Sequence, residues 1–373
     1  MSEPVNALLL DDDATESASL ADLLNSGTDL LVTTAQPTGE VEETVAKVLD
    51  ALPDGCPRLL LLDYRLEDDA TRQDAVKFRG GTVAGYLRDV EPELPIVLLT
   101  SEAKLHAWVD TRPGMKSVFD WTLVKNKISS PGGAGREHEK IVDFAHAWEG
   151  ARGWPEQSDE LWTRIAELMR APEQYVQPYG ELEAEPPRPD VTGDVIHWLL
   201  HGALTIPGPL IAKDAVRVTL GVSPEAFATE AVGAWLEDAR YQGVLGAFGA
   251  RWWAAMVRAQ LAEACGGSRP LDAADRAAAL SEHLSAELDS EACNWCGGQR
   301  TLEACLVCGS ATDAAHCVRP LTASQPAWAD PCVVCYRCVA TGRADAEGLR
   351  FPPLANDVID GLREGRVKPQ ANE

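Results

Sequence analysis

Lysine is scarce in this chain. Nine occur in 373 residues, and none lies between Lys213 and Lys368. Acidic residues outnumber basic ones 58 to 33, leaving a formal net charge of −25. A surface so negative is repelled by phosphate backbones, so a general nucleic-acid binder is disfavoured. Long apolar runs are also missing, which excludes a helical membrane span. The start, MSEPVNALLLDDD, lacks the basic segment and the apolar length of a secretion signal. These absences predict a cytoplasmic protein with no membrane partner. Disulfides are rare in that compartment, so the ten cysteines need another role.

Hydrophobic residues make up 45% of the chain and charged residues 24%, as in ordinary globular protein. The length suits about two to three domains. Residues 1–150 alternate short apolar runs with helical patterns. The runs are 7–10, 30–34, 59–63, 95–100 and 121–125, and helices are expected near 14–25, 40–51, 81–90 and 137–149. That alternation predicts an α/β, doubly wound, five-stranded parallel sheet. A helix at about 158–170 and a proline- and acid-rich linker complete 151–192. Residues 193–290 read as a tryptophan-rich helical domain, and 291–345 hold eight of the ten cysteines. Residues 346–373 offer one short helix and a polar tail.

Polar residues close four of the apolar runs. Asp11 and Asp12 follow ALLL, Asp63 ends LLLLD, Thr100 ends PIVLLT and Lys125 ends TLVK. In an open α/β sheet the carboxyl ends of the strands form one ligand-binding crevice. Carboxylates gathered there demand a cation, and Mg²⁺ takes hard oxygen ligands. A lysine and a hydroxyl are suited to holding phosphoryl oxygens.

In these residues, over about 5–150, the chain resembles the receiver domain of response regulators, which has a flavodoxin-like fold. The resemblance implies that Asp11, Asp12 and Asp63 bind Mg²⁺. It implies that Asp63 accepts a phosphoryl group from a histidine-kinase-type donor, with Thr100 and Lys125 on its oxygens. Hydrolysis of its own phosphoryl group is the only further enzymatic activity it implies. Three features depart from the family pattern. A long acidic and basic loop, 67–79, separates Asp63 from the following glycine. Asn126 stands where proline is usual. Thr122, beside Trp121, occupies the usual place of a switch aromatic.

The cysteine cluster reads Cys293-x2-Cys296, Cys305-x2-Cys308, Cys317 and Cys332-x2-Cys335-x2-Cys338, with His316 as a ninth candidate. A CxxC turn wraps one metal, and glycine after the second thiol relieves it. CNWCGG and CLVCGS carry that glycine. Eight thiols satisfy two structural zinc ions if Cys317 rather than His316 is used. The spacing leaves sequential and cross-braced pairing open. Cys56 and Cys265 stand apart, as buried small apolar residues.

Within 193–290, residues 212–237 suggest a helix-turn-helix or winged-helix-like shape. Gly221 makes the turn, Ser223 caps the next helix and Pro224 takes its first position. Glu225 and Glu230 on that helix oppose DNA readout. Tyr241, Phe248, Trp252 and Trp253 suggest a hairpin closing a core, or aromatic anchors for a partner. His197 and His201 share a helix face without a third metal ligand.

The expected function is that of an atypical response regulator. Phosphorylation of Asp63 would switch protein–protein contacts of the helical and zinc modules. Two alternatives stand beside it: a phosphorylation-silent receiver acting as a scaffold, and a transcription regulator using the helix-turn-helix-like part.

Overall fold

A computed structural model describes residues 4–52, 57–66, 76–101, 118–153, 158–171, 192–205, 208–267, 272–300, 302–321 and 329–368. Residues 172–191 of the linker expected at 171–192, and 67–75 of the loop at 67–79, lie outside them. The chain divides into two compact units. The first holds Met1–Pro172, Glu185–Leu199 and Gly243–Phe248; the second holds Glu173–Ala184, Leu200–Gln242 and Gly249–Glu373.

The first unit is built on a five-stranded parallel sheet ordered β2-β1-β3-β4-β5. Its strands are β1 (Val5–Leu10), β2 (Leu30–Ala35), β3 (Arg58–Asp63), β4 (Ile96–Thr100) and β5 (Trp121–Val124). This is the doubly wound order of flavodoxin-like folds. Every residue of β3 and β4 is buried, as uninterrupted leucine-rich runs require when helices cover both faces. β2, at the sheet edge, alternates buried Leu30 and Val32 with exposed Leu31 and Thr33.

Helices α1 (Ala14–Leu24), α2 (Val41–Ala51) and α3 (Gly80–Val90) begin within two residues of the positions their patterns predict. α2 and α3 pack side by side, and α1 packs beside the helix Gly133–Ala151. Leu8, Leu10, Leu60 and Leu62 share one sheet face with Val45, Val48, Val83 and Leu87. Burying each such leucine is worth about 2 kcal/mol. The helix Thr192–His197 belongs to this unit, where Thr192 Oγ1 donates to Glu93 at 2.6 Å.

The second unit has two cores. In the first, Leu210–Ala212 pairs antiparallel with Arg251–Trp253. Helices Lys213–Leu220, Ala254–Ala264 and Ala273–Leu284 bury Val216, Leu220, Val257, Leu261 and Leu280. The expected turn forms: Gly221 has φ 75° and Ser223 Oγ accepts from Ala226 N at 3.1 Å. The helix after it differs from expectation. Pro224–Phe227 is a single turn, and Thr229, in extended backbone, separates it from Glu230–Trp235. Four residues rise only about 6 Å, too little for a helix that reads a major groove.

The second core surrounds the cysteines. Leu302–Ala304 pairs with Ala311–Asp313, and Cys317–Val318 with Val334–Cys335. Helix Asn356–Arg363 adds Ile359 and Leu362 to Val334, Cys335, Cys338 and Val339. No helix among the described residues is long and apolar enough to cross a membrane.

Candidate functional site

Parallel strands bring the expected residues together at one sheet end. Asp63 ends β3, and Thr100 ends β4 one residue beyond Leu99, the partner of Asp63. Lys125 directly follows β5. Asp11, Asp63, Thr100 and Lys125 are all buried, at 1%, 3%, 4% and 7% exposure. Carboxylate oxygens of Asp11, Asp12 and Asp63 lie within 4.8 Å of one another, a spacing that one divalent cation can span.

Lys125 Nζ reaches Asp11 Oδ2 at 2.8 Å and Asp63 Oδ1 at 2.9 Å. A third carboxylate, Glu16 Oε2, lies 2.5 Å from the same ammonium. Asn126 therefore does not turn the lysine away from Asp63. Glu16 was absent from the expected site. It sits in the first turn of α1, where Asp13 caps the helix by accepting from Thr15 N and Glu16 N. That cap fixes the turn from which Glu16 reaches across.

Burial dominates the electrostatics. It pushes the Asp63 carboxyl up to about 6; Lys125 opposes the rise and Asp11 adds to it. Burial also disfavours the Lys125 ammonium. Its bonds to Asp63, Asp11 and Glu16 outweigh that penalty and raise its pKa. The other oxygen of Asp63, Oδ2, accepts from Arg65 N at 2.7 Å, which orients the carboxylate. Gly80 lets α3 approach: a Cβ there would lie 2.2 Å from the Asp63 carbonyl oxygen. Loop residues 67–75, expected between Asp63 and this glycine, lie outside the described residues.

At the start of β5, the strand end away from Lys125, Trp121 packs on Phe144 and Phe248, with ring centres 5.6 and 4.9 Å apart. Phe248 closes the segment Gly243–Phe248. Asp143 anchors that segment by accepting from Leu245 N and Ala247 N, both at 2.8 Å. One of the expected aromatic anchors is thus used within the first unit. Trp252 and Trp253 instead enter the strand pair of the second.

The cysteine module gathers its donors in a crossed order. Cys305, Cys308, Cys335 and Cys338 have sulfurs within 4.8 Å of one another. Cys293 and Cys296 gather with His316. The second pair thus joins the last pair, and the first pair joins a residue between them. Of the eight expected thiols, Cys317 and Cys332 enter neither group among the described residues. His316 holds the place expected for Cys317. Both CxxC turns close as the glycines predict, with Gly297 at φ 73° and Gly309 at φ 68°. Backbone N–H groups of Trp295 and Gly298 point at the sulfurs of Cys293 and Cys296, at 3.4 Å each. Cys335 N points at Cys305 Sγ at 3.3 Å. The Cys335 sulfur beside it and burial push the Cys305 thiol up to about 12. A tetrahedral zinc ion would stabilise the thiolate form that this environment disfavours at Cys305. His197 and His201 join no donor group among the described residues.

No family model matches the chain, and no curated protein matches it. Solved structures similar to its N-terminal part include response regulator receiver domains. One is TrrA from Thermotoga maritima, in complex with Mg²⁺ and BeF: 22% identity, 38% of this chain, 99% of that chain, TM-score 0.27. Another is the receiver domain of NtrX from Brucella abortus: 18% identity, 37% of this chain, 98% of that chain, TM-score 0.27. A third is a CheY-like receiver domain protein from Methanospirillum hungatei: 18% identity, 39% of this chain, 98% of that chain, TM-score 0.27.

Proposed function

We propose that this chain is an atypical response regulator whose phosphoacceptor is Asp63. The observation that carries the reading is the Asp63–Lys125 contact of 2.9 Å, buried beside Asp11 and Asp12 at the carboxyl end of the sheet. Asp63 attacks the phosphorus of a phosphohistidine. A P–O bond forms to its carboxylate while the P–N bond breaks and the histidine nitrogen leaves with the electron pair. Lys125 and Thr100 hold the oxygens of the transferred group. Asp11, Asp12 and Asp63 would hold Mg²⁺, which supplies charge neutralisation to the phosphoryl oxygens. The output is a change of protein–protein contacts, biased by the charge added at Asp63.

The cysteine module is a zinc-bound structural element in this reading. Cys305, Cys308, Cys335 and Cys338 form a closed four-thiolate site with no position for chemistry. No disulfide joins the nine described cysteines, which fits a cytoplasmic setting. The partners are a histidine-kinase-type phosphodonor and an output protein.

A second reading, a phosphorylation-silent scaffold, draws on Glu16. Its grip on Lys125 gives the ammonium a third carboxylate to satisfy before it can serve a phosphoryl group. A transcription regulator is less well supported, because the helix after Gly221 is split and acidic.

Incubation with Mg²⁺ and acetyl phosphate, followed by intact mass, tests the choice. One phosphoryl adduct on the wild type and none on Asp63→Asn supports the switch. No adduct on either, from donor or kinase, favours the scaffold.

A further inference from the structure

We propose that the second metal centre of the cysteine module is a three-donor site. Cys293, Cys296 and His316 hold the ion, and one coordination position is left for an exogenous monodentate anion. The proposal rests on the zinc reading of this module and refines one of its two centres.

The three donor atoms lie within 4.8 Å of one another, and no fourth thiol, imidazole or carboxylate joins them among the described residues. Neighbouring residues outside the description, 301 and 322–328, contain no Cys, His, Asp or Glu. His316 Nδ1 is buried and has no hydrogen-bond partner among the described residues, which leaves that nitrogen available to a cation.

Cys317 is the obvious fourth ligand by sequence, and it stays outside the group. It lies in extended backbone, φ −137° and ψ 163°, and opens the strand Cys317–Val318. His316 ends the short 3₁₀ turn Ala314–His316 and Cys317 begins the strand after it, and only His316 gathers with Cys293 and Cys296. The Cys317 sulfur lies 3.4 Å from the Ala314 carbonyl oxygen. Cys332 lines a separate cavity of about 530 Å³, together with Arg258, Glu303 and Arg319.

Charge decides what the open position takes. Four thiolates leave a zinc ion with a surplus of two negative charges, which repels a further anion. Two thiolates and a neutral imidazole only cancel the ion, so one more anion is accepted. Three protein donors with an open fourth position is also the pattern of zinc sites that bind exogenous ligands. The ring of Tyr336 stands edge-on to both His316 and Trp295, with centres 5.8 Å apart in each case, and walls the site on one side.

The test is to load the full chain with Co²⁺ and titrate it with azide. Two cobalt ions per chain are expected in the wild type, in Cys317→Ser and in Cys332→Ser, and one in His316→Ala. Azide is expected to shift the visible cobalt bands of the wild type and of Cys317→Ser, and to leave His316→Ala unchanged. His316→Cys, which keeps three donors but adds a thiolate charge, should retain both ions and weaken the azide response. One cobalt in Cys317→Ser, or no azide shift in the wild type, overturns the proposal while leaving the zinc reading standing. A wild type that takes up no cobalt overturns both.

Discussion

The carboxylate pocket and the cysteine module face the same physical problem and answer it differently. Each gathers like-charged groups at one point of a buried framework. The pocket carries its own cation: Lys125 sits between Asp11, Asp63 and Glu16. Among the described residues no ammonium or guanidinium bonds to the sulfurs of Cys305, Cys308, Cys335 and Cys338; Arg217, the charge close to Cys308, donates to the Gly309 carbonyl oxygen instead. The pocket can therefore fold first and exchange cations afterwards, which a switch requires. On the zinc reading, the module would take its metal as part of folding, which suits a permanent fixture.

The largest expected effect is metal removal. Structural zinc contributes about 10–16 kcal/mol to small zinc domains. Chelation, or Cys338→Ser, should collapse hydrogen-exchange protection around 293–340. Protection in β1, β3 and β4 should persist. Equal loss in both regions would erase the contrast.

Lys125→Met removes the internal cation. Breaking a buried ion pair costs about 3–5 kcal/mol. Urea unfolding of the first unit should show a loss of that size in chelator, and Mg²⁺ should recover part of it. A variant as stable as wild type would mean that Lys125 does not neutralise the pocket.

The pH dependence sharpens the same point. Asp63 is lifted to about 6 from an ordinary value of 3.8, so the folded state holds its proton more tightly than the unfolded chain. Its contribution is stabilising below about pH 4 and is lost as pH rises through 6. Two units correspond to about 3 kcal/mol. In chelator, unfolding midpoints of wild type should fall across that window relative to Asp63→Asn. Parallel curves would show that Asp63 is not strained by burial. The smallest effect is expected at the helix cap: Ser223→Ala should cost about 1 kcal/mol of the second unit's stability by urea unfolding.

Much of the pocket was legible in the sequence because parallel strands obey a simple rule. A leucine-rich run ending in a polar residue places that residue at the sheet's carboxyl end, so Asp63, Thr100 and Lys125 could be placed from their runs. Glu16 escaped notice because it lies 109 residues from Lys125 and reaches it only through the angle of α1. The cysteine spacing announced two centres but did not choose between His316 and Cys317. His316 ends a 3₁₀ turn and Cys317 begins a strand, and spacing alone does not say which of the two joins Cys293 and Cys296. Ser223 and Pro224 correctly marked a helix start. Its end after one turn was not legible, since EAFATEAVGAW shows no glycine or proline before Gly233.

The phosphoacceptor claim is tested most directly by borohydride reduction after phosphorylation. Hydride converts an aspartyl phosphate to homoserine, and peptide sequencing by mass spectrometry then locates it. The account predicts homoserine at position 63 in the β3 peptide, dependent on Mg²⁺ and abolished by Asp63→Asn. Homoserine at another aspartate, or none in folded, Mg²⁺-loaded protein supplied with a competent phosphodonor, would contradict it.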